Sequence, residues 1–156
     1  MRPLQPSDAF LLRVATWLNL NWSGERFTFS EVDDDPHLAA YYRSVPDFGF
    51  VSTADEEPTG VVWVTCFPAD APGYGFVRSG IAELSVCVLP GYRGAGVGTA
   101  LLAAAVTEAR SRGLEALSLS VEEGNPARPL YERFGFARVV TAQHPGTLLL
   151  QLSDQS

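Results

Sequence analysis

The feature that most restricts the fold is a strand, a glycine-rich turn and a helix that follow one another over residues 81–112. Residues 81–89 are mostly apolar, as in a buried strand, and glycines stand at positions 94, 96 and 98. A stripe of Leu and Ala at about 3.6-residue spacing then predicts a helix over 97–112, with Gly113 as its cap. Glycines let a ligand approach the main chain, and the first amides of a helix point outward with the positive end of the dipole behind them. The segment therefore predicts an anion site.

Periodicity and turn residues predict the elements around this segment. Ser7-Asp8 and Asp35-Pro36 are helix-start signals, while residues 55–58 and His144-Pro145-Gly146 supply turns between strands. The expected order is helices, strands, helix, strand, helix, strands, which is typical of a mixed α+β fold, and 156 residues fit a single domain, 1–156. The predicted helices are 9–20, 37–43, 97–112 and 126–133, and the predicted strands are 48–54, 61–67, 81–89, 116–121, 137–142 and 147–152.

Composition excludes several classes of function. A net charge of −7 argues against a nucleic-acid partner and is compatible with a cationic acceptor. The longest apolar run, 100–106, is far shorter than the ~20 residues of a membrane span, and the N-terminus lacks signal-peptide features, so we expect a cytoplasmic protein. All eleven basic residues are arginine, which excludes a G-K-[ST] phosphate loop and lysine Schiff-base chemistry. Cys66 and Cys87 are expected to be buried, and no histidine has metal-ligand spacing.

Two motifs together resemble a known family. The turn reads Arg93-Gly94-Ala95-Gly96-Val97-Gly98, which fits R-x-x-G-x-G after the strand Glu83-Leu84-Ser85-Val86-Cys87-Val88. Alone, the turn also fits an ordinary strand-to-helix connection. A second block, residues 125–136, contains A-x-x-L-Y-x-x-x-G-F, and with the first it is similar to the coenzyme A region of the GNAT superfamily of N-acetyltransferases. The resemblance implies a central mixed, mostly antiparallel sheet flanked by helices, a coenzyme A core at about 81–136, and acetyl-CoA as co-substrate without a metal.

The resemblance also implies which residues hold the cofactor. In the family the turn amides hold the pyrophosphate, and the strand before it splays from its neighbour so that main-chain groups bond the pantetheine arm. The family asparagine aligns with Gly124, one position before Asn125, so Asn125 is assigned either to the pantetheine arm or to a helix cap. The candidate cofactor residues are Val86, Cys87, Val88, Arg93, Gly94, Ala95, Gly96, Val97, Gly98, Thr99 and Asn125.

Two residues match catalytic positions of the family. Tyr131 corresponds to the tyrosine that protonates the coenzyme A sulfur, and a phenol with a usual pKa of about 10 suits that role. Its alternative is an aromatic packed in the core beside Phe134 and Phe136. Glu83 stands where several members place the carboxylate that accepts the amine proton, often through water. Its alternative is a strand residue paired with an arginine, and Glu122 is a weaker substitute.

The acceptor is expected to be the primary amine of a small molecule, acetylated directly in a ternary complex. Alternatives are a protein acceptor, through an N-terminus or lysine, and a non-catalytic sensor that binds acyl-CoA. Residues 33–35 are acidic and either attract a cationic acceptor or form a solvated cap, and the resemblance also allows a homodimer. Aromatic residues that could line an acceptor pocket, or else belong to the core, are Trp22, Phe27, Trp63, Tyr74 and Phe76.

Overall fold

The computed structural model describes residues 1–153, which contain seven strands and five α-helices. The sheet order is β1-β2-β3-β4-β5-β7-β6, and of the strand registers described, β4–β5 is parallel while β1–β2, β2–β3, β5–β7 and β6–β7 are antiparallel. This architecture confirms the predicted mixed α+β class with a mostly antiparallel sheet. The elements are β1 (Arg2–Pro3), a 3-10 turn (Pro6–Asp8), α1 (Ala9–Leu20), α2 (Phe29–Asp34), α3 (Pro36–Arg43), β2 (Phe48–Ala54), β3 (Glu57–Thr65), β4 (Ala82–Val88), α4 (Val97–Ser111), β5 (Ala116–Ser120), α5 (Arg128–Arg133), β6 (Ala137–Arg138) and β7 (Thr147–Gln151).

The chain divides into two compact units. The first unit comprises Met1–Thr65 and Ser85–Ala105, and the second comprises Cys66–Leu84 and the chain from Val106 onward. Strand β4 and helix α4 each run through both units, because the boundaries at 84/85 and 105/106 lie inside them.

The first unit is built around Trp63 on β3. Its ring is buried in a cluster with residues of α1, β2 and β4, and its indole N–H donates to the Tyr41 carbonyl at 2.8 Å. Gly60, also on β3, lets α4 approach closely. A Cβ at Gly60 would lie 2.9 Å from both the Leu101 Cδ1 and the Val97 Cγ1 atoms. This close packing fixes the first turn of α4 against the strand.

A half-buried carboxylate on α2 joins the helices of the first unit. Arg13 on α1 donates two hydrogen bonds to Asp33 on α2, at 3.0 and 2.7 Å, and the Tyr42 hydroxyl donates to the same carboxylate. The Arg13 bonds, followed by the Tyr42 bond, lower the pKa of Asp33 well below 3.8. Ion pairs elsewhere use arginine as well: Arg2–Asp8, Arg78–Glu115, Arg112–Glu108 and Arg128–Glu132.

The second unit centres on β5, whose first four residues are buried. An antiparallel ladder pairs β5 with β7 over five residues, and a parallel ladder pairs Ala82 with Leu117 and Glu83 with Ser118. Helix α4 ends in this unit just before Gly113, which has φ +74°, as the predicted cap requires.

Several predicted bounds need correction. Strand β3 begins at Glu57 rather than 61, because the hairpin closes through only two residues, Asp55 and Glu56, both with positive φ. Helix α5 begins at Arg128 rather than 126, and β6 covers two residues of the predicted 137–142. Helix α2 and strand β1 were not predicted. The bounds of α1 and β2 are as predicted. No helix in residues 1–153 is long and apolar enough to cross a membrane.

Candidate active site

The turn between β4 and α4 is exposed and contains three glycines with positive φ, Gly91, Gly94 and Gly96, of which the last two lie next to the helix. The φ angles are +81° at Gly94 and +83° at Gly96, and a Cβ added to either would meet no atom within 4 Å. The Ala100 amide donates to the Gly96 carbonyl at 3.1 Å, so the amides of Val97, Gly98 and Thr99 precede this bond at the helix start. An open turn that leads into the positive end of a 15-residue helix can hold a phosphate group through main-chain N–H donors.

The β4 residues next to this turn are a buried cysteine and two half-buried valines. Cys87 packs in the core of the first unit, and this burial raises the pKa of its thiol to about 12, although the charge of Arg93 acts in the opposite direction. The thiol is therefore protonated at neutral pH, which does not suit a nucleophile. Val86 and Val88 are half-buried, and the Val86 carbonyl accepts a hydrogen bond from the Asn19 side chain at 3.2 Å.

The hydrogen bond from Asn19 to Val86 was not predicted from the sequence. Asn19 is an exposed residue near the end of α1, 67 positions from its partner. Nothing in its local pattern distinguishes it from other polar residues on a helix surface. Its bond uses the oxygen of Val86, whereas a substrate carbonyl would need an N–H donor.

Glu83 is buried in the second unit, with 4% of its surface exposed. Its Oε1 atom accepts the Gly75 amide at 3.0 Å. Gly75 lies so close that an added Cβ would be 3.1 Å from the Glu83 Cδ atom and 2.8 Å from the Leu119 carbonyl carbon. Gly75 belongs to the connection before β4, and its part in holding Glu83 depends on this close crossing rather than on any local motif.

Tyr131 lies on α5 in the second unit and is 9% exposed. Its ring makes an edge-to-face contact with Phe136, with centroids 6.3 Å apart. This contact matches the core interpretation of Tyr131.

Asn125 closes the turn before α5 but is not its helix cap. The N-cap residue is Ala127, with no side-chain cap bond, so the cap predicted at Asn125 is wrong. The Asn125 Oδ1 atom accepts the Ala127 amide at 2.9 Å, and its own carbonyl accepts the Arg128 amide at 3.2 Å. The side-chain oxygen is therefore engaged locally, while the Nδ2 group is the part of the amide that can donate to a ligand.

The candidate acceptor residues fall into different environments. Trp63 is part of the first unit's core, as described above, and Tyr74 lies against His144 with ring centroids 5.1 Å apart. Phe27 lines a cavity of about 420 Å³ in the first unit, together with Trp17 and Phe29 from α1 and α2 and with the acidic Glu25 and Glu31. Its lining also includes the basic Arg26, whose guanidinium lies 5.5 Å from the centre of the Phe27 ring. Cys66, predicted to be buried, is exposed. Across residues 1–153, no group of three or more His, Cys, Asp or Glu side chains is arranged to hold a metal ion.

The chain belongs to the Acetyltransferase (GNAT) family, whose sequence profile matches residues 13–136. This match confirms the family expected from the two motifs, and it extends through the N-terminal half as well.

The chain is also similar to individual acetyltransferases of known name or structure. Over 55 residues it is 40% identical to the ribosomal protein bS18-alanine N-acetyltransferase of Haemophilus influenzae, a match that takes in 35% of this chain and 38% of that enzyme. A GNAT family acetyltransferase from Brucella melitensis, solved in complex with acetyl-CoA, superposes with a TM-score of 0.66 and 21% identity over 98% of this chain and 87% of that one. A ribosomal-protein-alanine N-acetyltransferase from the same organism gives 0.64 and 24% over 97% and 98%. At these identities the two structures show the shared fold.

Proposed function

We propose that this protein is an acetyl-CoA-dependent N-acetyltransferase that passes the acetyl group directly to a primary amine. The observation that carries the proposal is the anion site at the start of α4, in a chain that belongs to the GNAT family. Gly94 and Gly96 adopt backbone angles that few other residues tolerate, and they stand beside helix amides that point outward. Such a site fits the pyrophosphate of coenzyme A.

The proposed cofactor contacts follow the predicted residues. Main-chain amides from Arg93 to Thr99 hold the pyrophosphate, and the main chain of Val86, Cys87 and Val88 bonds the pantetheine arm. The parallel ladder between β4 and β5 lies at Ala82 and Glu83, before this segment. This position supports the predicted splay. Asn125 keeps a place in the proposal through Nδ2, because its oxygen is bonded to the Ala127 amide.

Acetyl-CoA, when bound, supplies an activated thioester. Glu83 accepts the proton of the amine, directly or through water, and Tyr131 donates a proton to the sulfur that departs. The Gly75 amide supports the role of Glu83 because it fixes one carboxylate oxygen at 3.0 Å. Cys87 takes no covalent part, since burial keeps its thiol protonated.

Two kinds of amine are candidates for the acceptor of the acetyl group. The sequence alone favours a small-molecule amine. The similarity to a bS18-alanine N-acetyltransferase supports the α-amine of a protein N-terminus. The cavity at Trp17 and Phe27 favours neither candidate, because its lining includes the basic Arg26, which lies over the Phe27 ring, as well as the acidic Glu25 and Glu31.

Thiol release from acetyl-CoA tests the activity and the acceptor together. The purified chain is incubated with a panel of small primary amines and with peptides that begin with alanine, and coenzyme A binding is measured separately by calorimetry. We expect release with at least one amine, and an N-terminal alanine peptide as the best acceptor would decide for a protein substrate. Absence of any coenzyme A binding would contradict the proposal.

The variant Tyr131→Phe distinguishes an enzyme from an acyl-CoA sensor. Loss of a general acid should lower kcat by about 10²–10⁴-fold. The Kd for coenzyme A should stay within about twofold of the wild-type value, because the substitution removes no cofactor contact in the proposal. Tyr41→Phe, which removes a phenol from α3, is the matched control and should keep full activity. Tight cofactor binding in wild type without thiol release from any amine would favour the sensor instead.

We further propose that residues 1–156 act as one acetyltransferase domain in the cytoplasm, with a homodimer as the assembly to test. Both cysteines in the described residues are free thiols, and one of them, Cys66, is exposed, which suits a reducing compartment. Light scattering of the purified chain measures the assembly directly.

A further inference from the structure

Ser118, in the middle of β5, has a buried hydroxyl group without a hydrogen-bond partner in the described residues. The residue is 0% exposed, and its Oγ atom has no hydrogen-bond partner within residues 1–153. Buried polar groups in native proteins are almost always hydrogen-bonded, to protein or to an ordered water, because an unmade bond is unfavourable. A fully enclosed serine of this kind therefore indicates a bound group that the protein chain itself does not provide.

The partner strand shows what lies beside this hydroxyl. The parallel ladder pairs Ser118 directly with Glu83, so the two side chains project from the same face of the sheet, on strands about 4.8 Å apart. The Glu83 carboxylate is itself 4% exposed. A buried carboxylate and a buried hydroxyl thus occupy neighbouring positions on one face.

The segment that contains Gly75 covers this face. The Gly75 amide donates to one oxygen of Glu83, and a Cβ added at Gly75 would lie 2.8 Å from the Leu119 carbonyl carbon, which leaves no room for a side chain. One side of the carboxylate is therefore fixed by a main-chain donor. The Ser118 hydroxyl is the polar group on the other strand of the pair.

We propose that Ser118 is a positioning residue for Glu83, which acts through one internal water molecule held between the Ser118 hydroxyl and the Glu83 carboxylate. The inference rests on the proposed function, in which Glu83 accepts the amine proton. Water is the ligand that fits, because it is small enough for an enclosed site and can donate to the carboxylate while it accepts from the hydroxyl. Ser118 neither gains nor loses a proton; the proton of the amine ends on Glu83.

A double-mutant cycle tests the coupling. Ser118→Ala should lower kcat about tenfold with the KM for acetyl-CoA unchanged, whereas in a Glu83→Gln background the same substitution should have no further effect, within about twofold. Gln at 83 retains the oxygen that accepts the Gly75 amide. Ser120→Ala, at an exposed position of the same strand, is the matched control and should leave kcat unchanged.

Two results would overturn the inference while the proposed function stands: an active wild type with kcat unaltered by Ser118→Ala, or equal losses in both backgrounds. A wild type that releases no thiol with any amine refutes the proposed function, and the role of Ser118 falls with it.

A crystal structure supplies a readout that does not depend on activity. We expect a water within hydrogen-bond distance of both Ser118 Oγ and the Glu83 carboxylate, and its loss in Ser118→Ala. Dry packing around Ser118 Oγ, or a direct bond from it to a main-chain carbonyl, would contradict the proposal.

Discussion

Gly96→Ala should weaken coenzyme A binding much more than it weakens the fold. Gly96 has φ +83°, and its added Cβ would meet no atom within 4 Å, so the local penalty is the left-handed backbone itself, about 1–2 kcal/mol. For a domain of this size that corresponds to a melting temperature lower by about 2–8 °C. If alanine relaxes towards negative φ, the amides beside it turn away and one or two charge-assisted hydrogen bonds, worth about 1.5–3 kcal/mol each, are lost. The Kd for coenzyme A should then rise at least tenfold, since about 1.4 kcal/mol is a factor of ten.

Gly80→Ala is the matched control for this experiment. Gly80 has φ +89° and equally open space for a Cβ, but it lies in the connection before β4 rather than in the glycine turn. Calorimetry with coenzyme A and thermal melts of wild type and both variants separate the two effects. Equal melting shifts with a raised Kd only in Gly96→Ala would support the anion site. A Kd unchanged in Gly96→Ala would refute it.

Three further results are expected. Gly75→Ala should lower kcat and reduce stability by about 1–3 kcal/mol, because its Cβ would lie 2.8 Å from the Leu119 carbonyl carbon and displace the carboxylate beside it; thiol-release kinetics and urea unfolding measure the two. Asp33→Asn should destabilise the protein at neutral pH. The folded-state pKa of Asp33 lies below 3.8, so this contribution exists above that pH and disappears as pH falls through the folded value; urea midpoints of variant and wild type should converge in acid. A thiol reagent should modify Cys66 and spare Cys87 in the native protein, and mass spectrometry that shows both modified at equal rates would contradict the burial.

Local signals predicted the elements that local chemistry determines. Helix α1 and strand β2 have the predicted bounds because periodicity and flanking polar residues act within a few positions. Helix α2 was not predicted, although its start can be recognised in the sequence. Thr28 and Glu31 form a reciprocal capping box, a motif that spans only four residues. The position of β3 was wrong because Asp55 and Glu56 both adopt positive φ, which neither residue favours on its own.

The candidate site divides in the same way. The glycine turn and Tyr131 lie in continuous motifs, so the sequence alone was enough to select them. The helix cap predicted at Asn125 was wrong, because its bond to the Ala127 amide closes a turn and α5 begins only at Arg128. By contrast, the contact of Gly75 with Glu83 depends on how the connection crosses the sheet, and the position of Ser118 beside Glu83 depends on strand register. No short pattern encodes either relation, because both are set by tertiary packing.

The arginine ion pairs have a chemical consequence. A thioester acylates unprotected amines slowly without any enzyme, and an acylated lysine loses its charge. Guanidinium groups resist this reaction because they stay protonated. Contacts such as Arg2–Asp8 and Arg13–Asp33 should therefore keep their charge during long exposure to an acyl donor.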